Sequence, residues 1–234
     1  VLRLLIPGSL CDARLFGPLC SHWSSGQRVQ HASLHNLSDP VDWWRAQLNH
    51  LPGQFDAIGF SLGGLLIQAL LRIAPERVRS VVLIASSADA ASATHQERWQ
   101  LQQAQWQQTG PRALARSMGQ QASPSLSEAH LDLLQDMAQS TPESSFMVQG
   151  QFNASRLSGL PVLSDSASPL CLISGAPDPW CTPSVQDRMM QARPDAQQWV
   201  VAHAGHYLPL EAPAEVAQGI DQFLSSISPS AATP

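Results

Sequence analysis

Gly59-Phe60-Ser61-Leu62-Gly63 sets a serine between two glycines, a G-x-S-x-G pattern whose chemistry would be nucleophilic attack on a carbonyl. A serine at the tip of a sharp strand-to-helix turn leaves no room for Cβ atoms two positions to either side, which explains glycine at both. A serine hydroxyl is a weak nucleophile unless a base takes its proton and a third group orients that base. Candidates for both roles stand late in the chain: Asp178 in "SGAPDPWCTP", and His203 and His206 in "VVAHAGHYLPLEAP". Asp178 and His206 are 28 residues apart, which leaves space for one helix and one strand between two loops at the same sheet edge. Asp89 in "ASSADA" is a second candidate acid. Each residue also has a plainer reading: Ser61 as a capping residue in a glycine-rich bend, Asp178 as a turn aspartate ahead of proline. The H-x-x-H pair invites a metal, but no carboxylate or cysteine set completes a coordination sphere beside it, so no metal is expected.

The motif has meaning only between a strand and a helix, and the flanking patterns supply both. Phe55 to Phe60 is an apolar run, and Leu62 to Ala74 repeats apolar residues at Leu62, Leu65, Leu66, Ala69, Leu70 and Ile73 before Pro75 stops it, a helical face. Further short apolar runs lie at Leu2 to Ile6, Arg28 to Leu34, Val78 to Ala85, Leu170 to Ser174 and Gln197 to Ala202. Helical patterns stand between them: Asp12 toward Trp23, Asp39-Pro40 through Leu51, Ser184 to Ala192 and Pro213 to Ser225. Alternation of this kind predicts a mostly parallel, doubly wound sheet of about six strands with helices on both faces. From Ser87 to Leu160 the alternation breaks. Four helical segments, "HQERWQLQQAQWQQTG", "PRALARSMGQQ", "SEAHLDLLQDMAQ" and "PESSFMVQGQFNASRL", replace it, so 87–160 reads as a helical insertion into a core formed by 1–86 and 161–227. The last residues, 228–234, have nothing to bury and are expected to be disordered.

Composition narrows the function classes. The chain has 234 residues, 44% hydrophobic and 13% charged, with a formal net charge of −5 and arginine as its only fixed cation. No basic field attracts a phosphate backbone, so nucleic acid is not an expected partner. No apolar run approaches the roughly 20 residues that span a bilayer, and "VLRLLIPG" is too short for a signal core. The expected setting is cytoplasmic, without a membrane partner, as a monomer or homodimer. Cys11, Cys20, Cys171 and Cys181 have neither disulfide-scaffold density nor C-x-x-C spacing, and are expected to be reduced.

In combination, "LIPGSLCDARLFGPL", "GFSLGG", "APERVRSVVLIASSA", "SGAPDPWCTP" and "AGHYLPLEAPAEVAQGIDQFL" resemble the α/β-hydrolase superfamily over most of the chain. Within it the chain is similar to short, lidded esterases of the pimeloyl-carrier-protein methyl esterase kind and to the menaquinone-pathway synthases. The resemblance implies Ser61 as nucleophile, His206 as general base and, from the G-x-x-D spacing at Gly175 to Asp178, Asp178 as orienting acid. It also implies an oxyanion hole from the backbone amides of Leu62 and Ser9. Proline stands at position 7 where many relatives have histidine, which leaves open whether Ser9 or Leu10 faces the substrate. By the same resemblance the insertion is a lid, with Trp180, Leu10, Trp99 and Trp106 expected against a small-molecule ester. Arg98, Arg112, Arg116 and Arg156 are candidates for an acidic group on that substrate, since guanidinium matches carboxylate. No cofactor is implied. Two rival functions remain: a carbon-carbon bond hydrolase or lyase-like synthase using the same three residues, and a binding module in which they are idle.

Overall fold

Along β3 (Phe55–Phe60) every residue is buried, and the same holds for β1 (Arg3–Ile6) and β5 (Leu170–Gly175). Strands covered on both faces are what a parallel α/β sheet requires. A computed structural model describes residues 1–123 and 125–227 and shows six strands, all parallel, in the order β2-β1-β3-β4-β5-β6. β2 (Val29–His31) and β6 (Gln197–Val201) form the edges, and β4 (Val78–Ile84) lies beside β3.

Alternate residues of each strand feed two separate cores, as the two-residue period of a strand demands. On one face Leu5, Ile58, Val82 and Ile173 pack with Val216, Ile220 and Phe223 of α10 (Pro213–Ser226) and Leu19 of α1 (Gly17–Cys20). On the other, Leu4, Ala57, Val81 and Leu172 meet Trp44 of α2 (Pro40–Leu48), Leu66 and Leu70 of α3 (Leu62–Ile73) and Met189 of α8 (Pro183–Ala192). Asp39 caps α2, accepting from the amides of Val41 and Asp42.

Between β4 and β5 the chain forms α4 (Ala93–Ala122), α5 (Glu128–Gln139), α6 (Glu143–Ser155) and α7 (Leu160–Asp165). α4 is broken at Gly110-Pro111, where Gly110 has φ 80°; the missing N–H and ring bulk of proline account for the break. Phe146 holds α6 to α4, stacked on Trp106 at 4.3 Å between ring centroids and edge-on to Trp99 at 5.0 Å. The helix expected from Asp12 toward Trp23 is instead a 3₁₀ turn, Ala13–Phe16, followed by the single turn of α1, because Gly17-Pro18 interrupts it. α7 and the short α9 (Leu208–Glu211) are additional to the helices read from the sequence. The tail expected at 228–234 lies outside the described residues. Among the described residues no helix is long and apolar enough to cross a membrane.

Candidate active site

With every strand parallel, all carboxyl ends reach one edge, and the connection from β1 runs one way to β2 while β3 lies on the other side. Ligands bind at such a switch point. Ser9 follows β1 there and Ser61 follows β3.

Ser61 has φ 51° and ψ −113°, a conformation that costs an L-residue on the order of 1–3 kcal/mol and must be held by its surroundings. Its N–H donates to Ile84 O at 2.9 Å, and its carbonyl accepts from Ser86 Oγ at 2.9 Å and from Gly64 N at 2.9 Å. The flanking glycines are a matter of space. A Cβ at Gly59 would lie 2.5 Å from the Gly63 carbonyl carbon, and one at Gly63 would lie 2.1 Å from Ile6 O.

The structure brings Ser61, His206 and Asp178 into one hydrogen-bonded line. Ser61 Oγ is 3.0 Å from His206 Nε2, and His206 Nδ1 is 2.8 Å from Asp178 Oδ2. A carboxylate only accepts, so Nδ1 carries the proton and Nε2 offers its lone pair to the serine hydroxyl. The other Asp178 oxygen accepts from the amides of Trp180 at 2.8 Å and Cys181 at 3.0 Å. Burial alone would raise the Asp178 pKa, but the His206 imidazole and these two amides outweigh it and hold the carboxyl below the usual range. His206 and Asp178 are each 2% exposed. The rivals stand apart: His203 pairs with Glu215 at 3.3 Å on the surface, and Asp89 is gripped by Arg188 at 2.6 and 2.9 Å.

Asp178, Cys181 and His206 are close enough together to suggest a metal site. Their atoms are already engaged, however. Cys181 Sγ donates to Ala85 O at 3.1 Å, and burial pushes its thiol pKa well up, against forming the thiolate a metal would need.

Leu62 and Ser9 line the cavity beside the serine, and the backbone amide of each has no protein acceptor among the described residues. The Leu10 amide is taken. It donates to Gln149 Oε1 at 3.1 Å, as does Ser9 Oγ at 3.1 Å, and Leu10 itself is turned to φ 60°. Gln149, 1% exposed on α6, therefore fixes the loop after β1 from across the cavity. Motif reading missed it. Its trace in the sequence is a helix face, Phe146, Gln149, Gly150 and Asn153, in which amides occupy positions where an apolar stripe would continue.

The loop carrying His206 is also held from the insertion. The His206 amide donates to Ala122 O at 3.1 Å and the Tyr207 amide to Ser123 Oγ at 3.0 Å. Glu211 ties the same place together, accepting from Ser123 Oγ at 2.6 Å, Ser125 Oγ at 2.8 Å and the Gly205 amide at 2.9 Å.

A cavity of about 90 Å³ lies above Ser61, roofed by the insertion. Trp180 lines it as expected, edge-on to His206 at 4.8 Å between centroids. Three other residues expected against the substrate lie elsewhere. Leu10 points into the core, while Trp99 and Trp106 are spent on Phe146, because large aromatics in a helical insertion first satisfy its own packing. Of the four arginines considered, Arg112 and Arg116 pair with Asp136 and Glu128 outside the cavity, whereas Arg98 and Arg156 line it.

The sequence matches one family model, described as the alpha/beta hydrolase family, over residues 9–219. No curated protein matches the sequence. The fold is similar to that of a thermophilic esterase from Thermogutta terrifontis, with 21% identity over 97% of this chain and 90% of that one and a TM-score of 0.82. It is similar also to the enol-lactonase from Burkholderia xenovorans LB400, at 19% identity, 96% and 91% coverage and a TM-score of 0.79. MenH from S. aureus superposes at a TM-score of 0.77, with 15% identity over 96% of this chain and 93% of that one. At these identities the likeness is one of fold.

Proposed function

The chain belongs to the alpha/beta hydrolase family, and from that premise we propose that it is a serine hydrolase cleaving a carboxylic ester of a small substrate. The observation that carries this reading is the unbroken line from Ser61 Oγ through His206 to Asp178, at 3.0 and 2.8 Å. His206 Nε2 takes the serine proton as Oγ attacks the ester carbonyl, and the developing oxyanion is received by the Leu62 and Ser9 amides. The imidazolium then gives its proton to the leaving alcohol. Water, deprotonated by His206, cleaves the acyl-enzyme and restores Ser61. Asp178 keeps the proton on Nδ1 throughout and balances the imidazolium charge. Every step uses protein groups and water. The insertion serves as a lid, and the esterase and enol-lactonase among the similar structures are consistent with chemistry at a carboxylic carbonyl.

A second reading, a carbon-carbon bond hydrolase or lyase-like synthase with the same three residues, is favoured by one observation, the two arginines in the cavity wall. The test that separates the two is turnover of a chain-length series of p-nitrophenyl esters by the wild type and by Ser61→Ala. Ester hydrolysis predicts steady turnover of the shorter esters, lost in the variant. Turnover equal in both proteins would overturn the role of Ser61. A single burst without turnover would favour the second reading.

A further inference from the structure

The chain's thirteen arginines divide by what they touch. Eight form ion pairs with carboxylates, from Arg3 with Asp221 to Arg193 with Asp195. Of the five without a carboxylate partner among the described residues, Arg72 and Arg77 donate to backbone carbonyls away from the site. Arg98 and Arg156 are the two that face the cavity over Ser61.

Arg156 is 8% exposed, and its guanidinium is fixed entirely by neutral acceptors. Nε donates to Asp89 O at 3.0 Å, Nη1 to Asn153 O and Oδ1 at 2.7 Å each, and Nη2 lies 3.0 Å from His95 Nε2. Because Arg156 can only donate, His95 Nε2 is the acceptor in that contact, while His95 Nδ1 lies 3.1 Å from the Ser92 amide and 2.8 Å from Ser92 Oγ. Burial, with the charges of Arg156 and Arg98, lowers the His95 pKa, which keeps that acceptor neutral. Four of the five guanidinium N–H groups are thereby used, and one on Nη2 remains. The nearest carboxylate, Asp89, is held away by both nitrogens of its contact with Arg188. Arg98 lies with its Cζ 5.4 Å from the Trp180 ring centroid, and it lines both the cavity and the groove outside it. It stands at the mouth.

A buried guanidinium without a countercharge is unfavourable unless a ligand completes it. No aspartate or glutamate is among the described residues that line the cavity, and an anionic ligand would bring the countercharge that the two arginines lack there. We propose that the substrate is an anionic ester: a carboxylate, held by Arg156 and Arg98, lies at one end, and the ester bond reaches Ser61 at the other. The small cavity limits this to short half-esters of dicarboxylic acids, which hydrolyse to the dicarboxylate and the free alcohol. This inference rests on the ester-hydrolase reading of Ser61. What it adds is the chemical class of the acid.

The test compares the monomethyl half-esters of succinate, glutarate and adipate with the neutral methyl esters of butyrate, valerate and hexanoate. The proposal expects kcat/KM to favour a half-ester by at least about tenfold at low salt, since a charge-assisted contact is worth more than one decade. That preference shrinks as sodium chloride is raised, by screening at the exposed mouth, and falls about tenfold in Arg98→Gln through KM. Arg156→Gln removes a buried anchor and can unfold the protein, so binding supplies a second arm. Calorimetry on Ser61→Ala should show the half-ester bound more tightly than the neutral ester. Hydrolysis of neutral esters with no half-ester preference, insensitive to Arg98→Gln, overturns the anionic-substrate proposal while leaving the serine hydrolase intact. Absence of ester turnover with tight half-ester binding by Ser61→Ala supports the anion site and rejects the hydrolase reading. Neither turnover nor binding overturns both.

Discussion

The two walls of the cavity are built by different means. The floor, Ser61 with His206 and Asp178, is made of loops that leave the carboxyl ends of strands, and each is fixed largely by its own neighbours: Ser61 by the Ile84 carbonyl and Ser86, Asp178 by the amides of Trp180 and Cys181. The roof, from α4 and α6, is fixed by contacts far apart in sequence. Gln149 reaches Ser9 and Leu10, 140 and 139 residues away, and Ser123 reaches Glu211 across 88. Local sterics dictates residue types; distant contacts only constrain them. On the proposed reading, a floor of this kind would act on any ester that reaches it, and the roof would decide which ester does.

If that division holds, removing a floor residue should abolish the chemical step and leave the fold in place. His206→Ala should lower kcat by about 10⁵-fold or more, and Asp178→Asn by about 10⁴-fold through loss of the correct tautomer. Circular dichroism should show both variants folded. Effects below tenfold would mean that the line of hydrogen bonds is ornamental.

Gln149→Leu sits where roof meets floor. It frees the Leu10 amide and lets the loop after β1 drift from its φ of 60°, so the Ser9 amide loses its aim at the oxyanion. Since losing an oxyanion donor outright costs about 10²–10³-fold, an indirect loss should lower kcat by about 10–100-fold with a smaller change in KM. A change confined to KM would place Gln149 in substrate binding instead.

Glu211→Ala strips three donors, Ser123 Oγ, Ser125 Oγ and the Gly205 amide, of their acceptor. Denaturant melts should lose about 1–3 kcal/mol, and kcat should fall by about tenfold as the His206 loop loosens. Trp106→Ala, by contrast, belongs to the insertion's own packing against Phe146. It should cost about 2–4 kcal/mol in stability and change kcat by less than about threefold. A large effect on substrate preference would return Trp106 to the pocket wall.

The floor was readable from the sequence because its requirements are short-range. Glycine at positions 59 and 63 is demanded by the carbonyls of Gly63 and Ile6 lying against them, and the strand before Ser61 and the helix after it were apparent from apolar period alone. β3 has the ends its apolar run predicts, Phe55 and Phe60. The roof was not readable in the same way. Of its helices α5 follows its apolar period, but α6 has hardly any apolar asymmetry, and which of its faces meets the cavity depends on tertiary packing. Trp99 and Trp106 drew attention by size and proved to be packing, while Gln149 and His95, which touch the site, carry no local motif. α7 and α9, of six and four residues, are too short for a period to declare itself.

A test by pH addresses the floor alone. Base catalysis needs the His206 Nε2 lone pair free to accept the serine proton, so kcat/KM should fall reversibly in acid. The Asp178 carboxyl is held below its ordinary value. Its contribution to stability is therefore complete above the unfolded value of about 3.9 and is lost only as pH falls through the lower, folded one. Activity should vanish well before near-ultraviolet circular dichroism reports unfolding. Coincident loss of both above about pH 5 would contradict that order.

The most direct measurement is intact mass after exposure to a fluorophosphonate, for the wild type, Ser61→Ala and Asp178→Asn together. The account predicts one adduct on the wild type, at Ser61, none on Ser61→Ala and markedly slowed labelling of Asp178→Asn. An adduct on Ser61→Ala, or a folded wild type that stays unlabelled by a probe small enough to enter the cavity, would contradict an activated serine at the carboxyl end of β3.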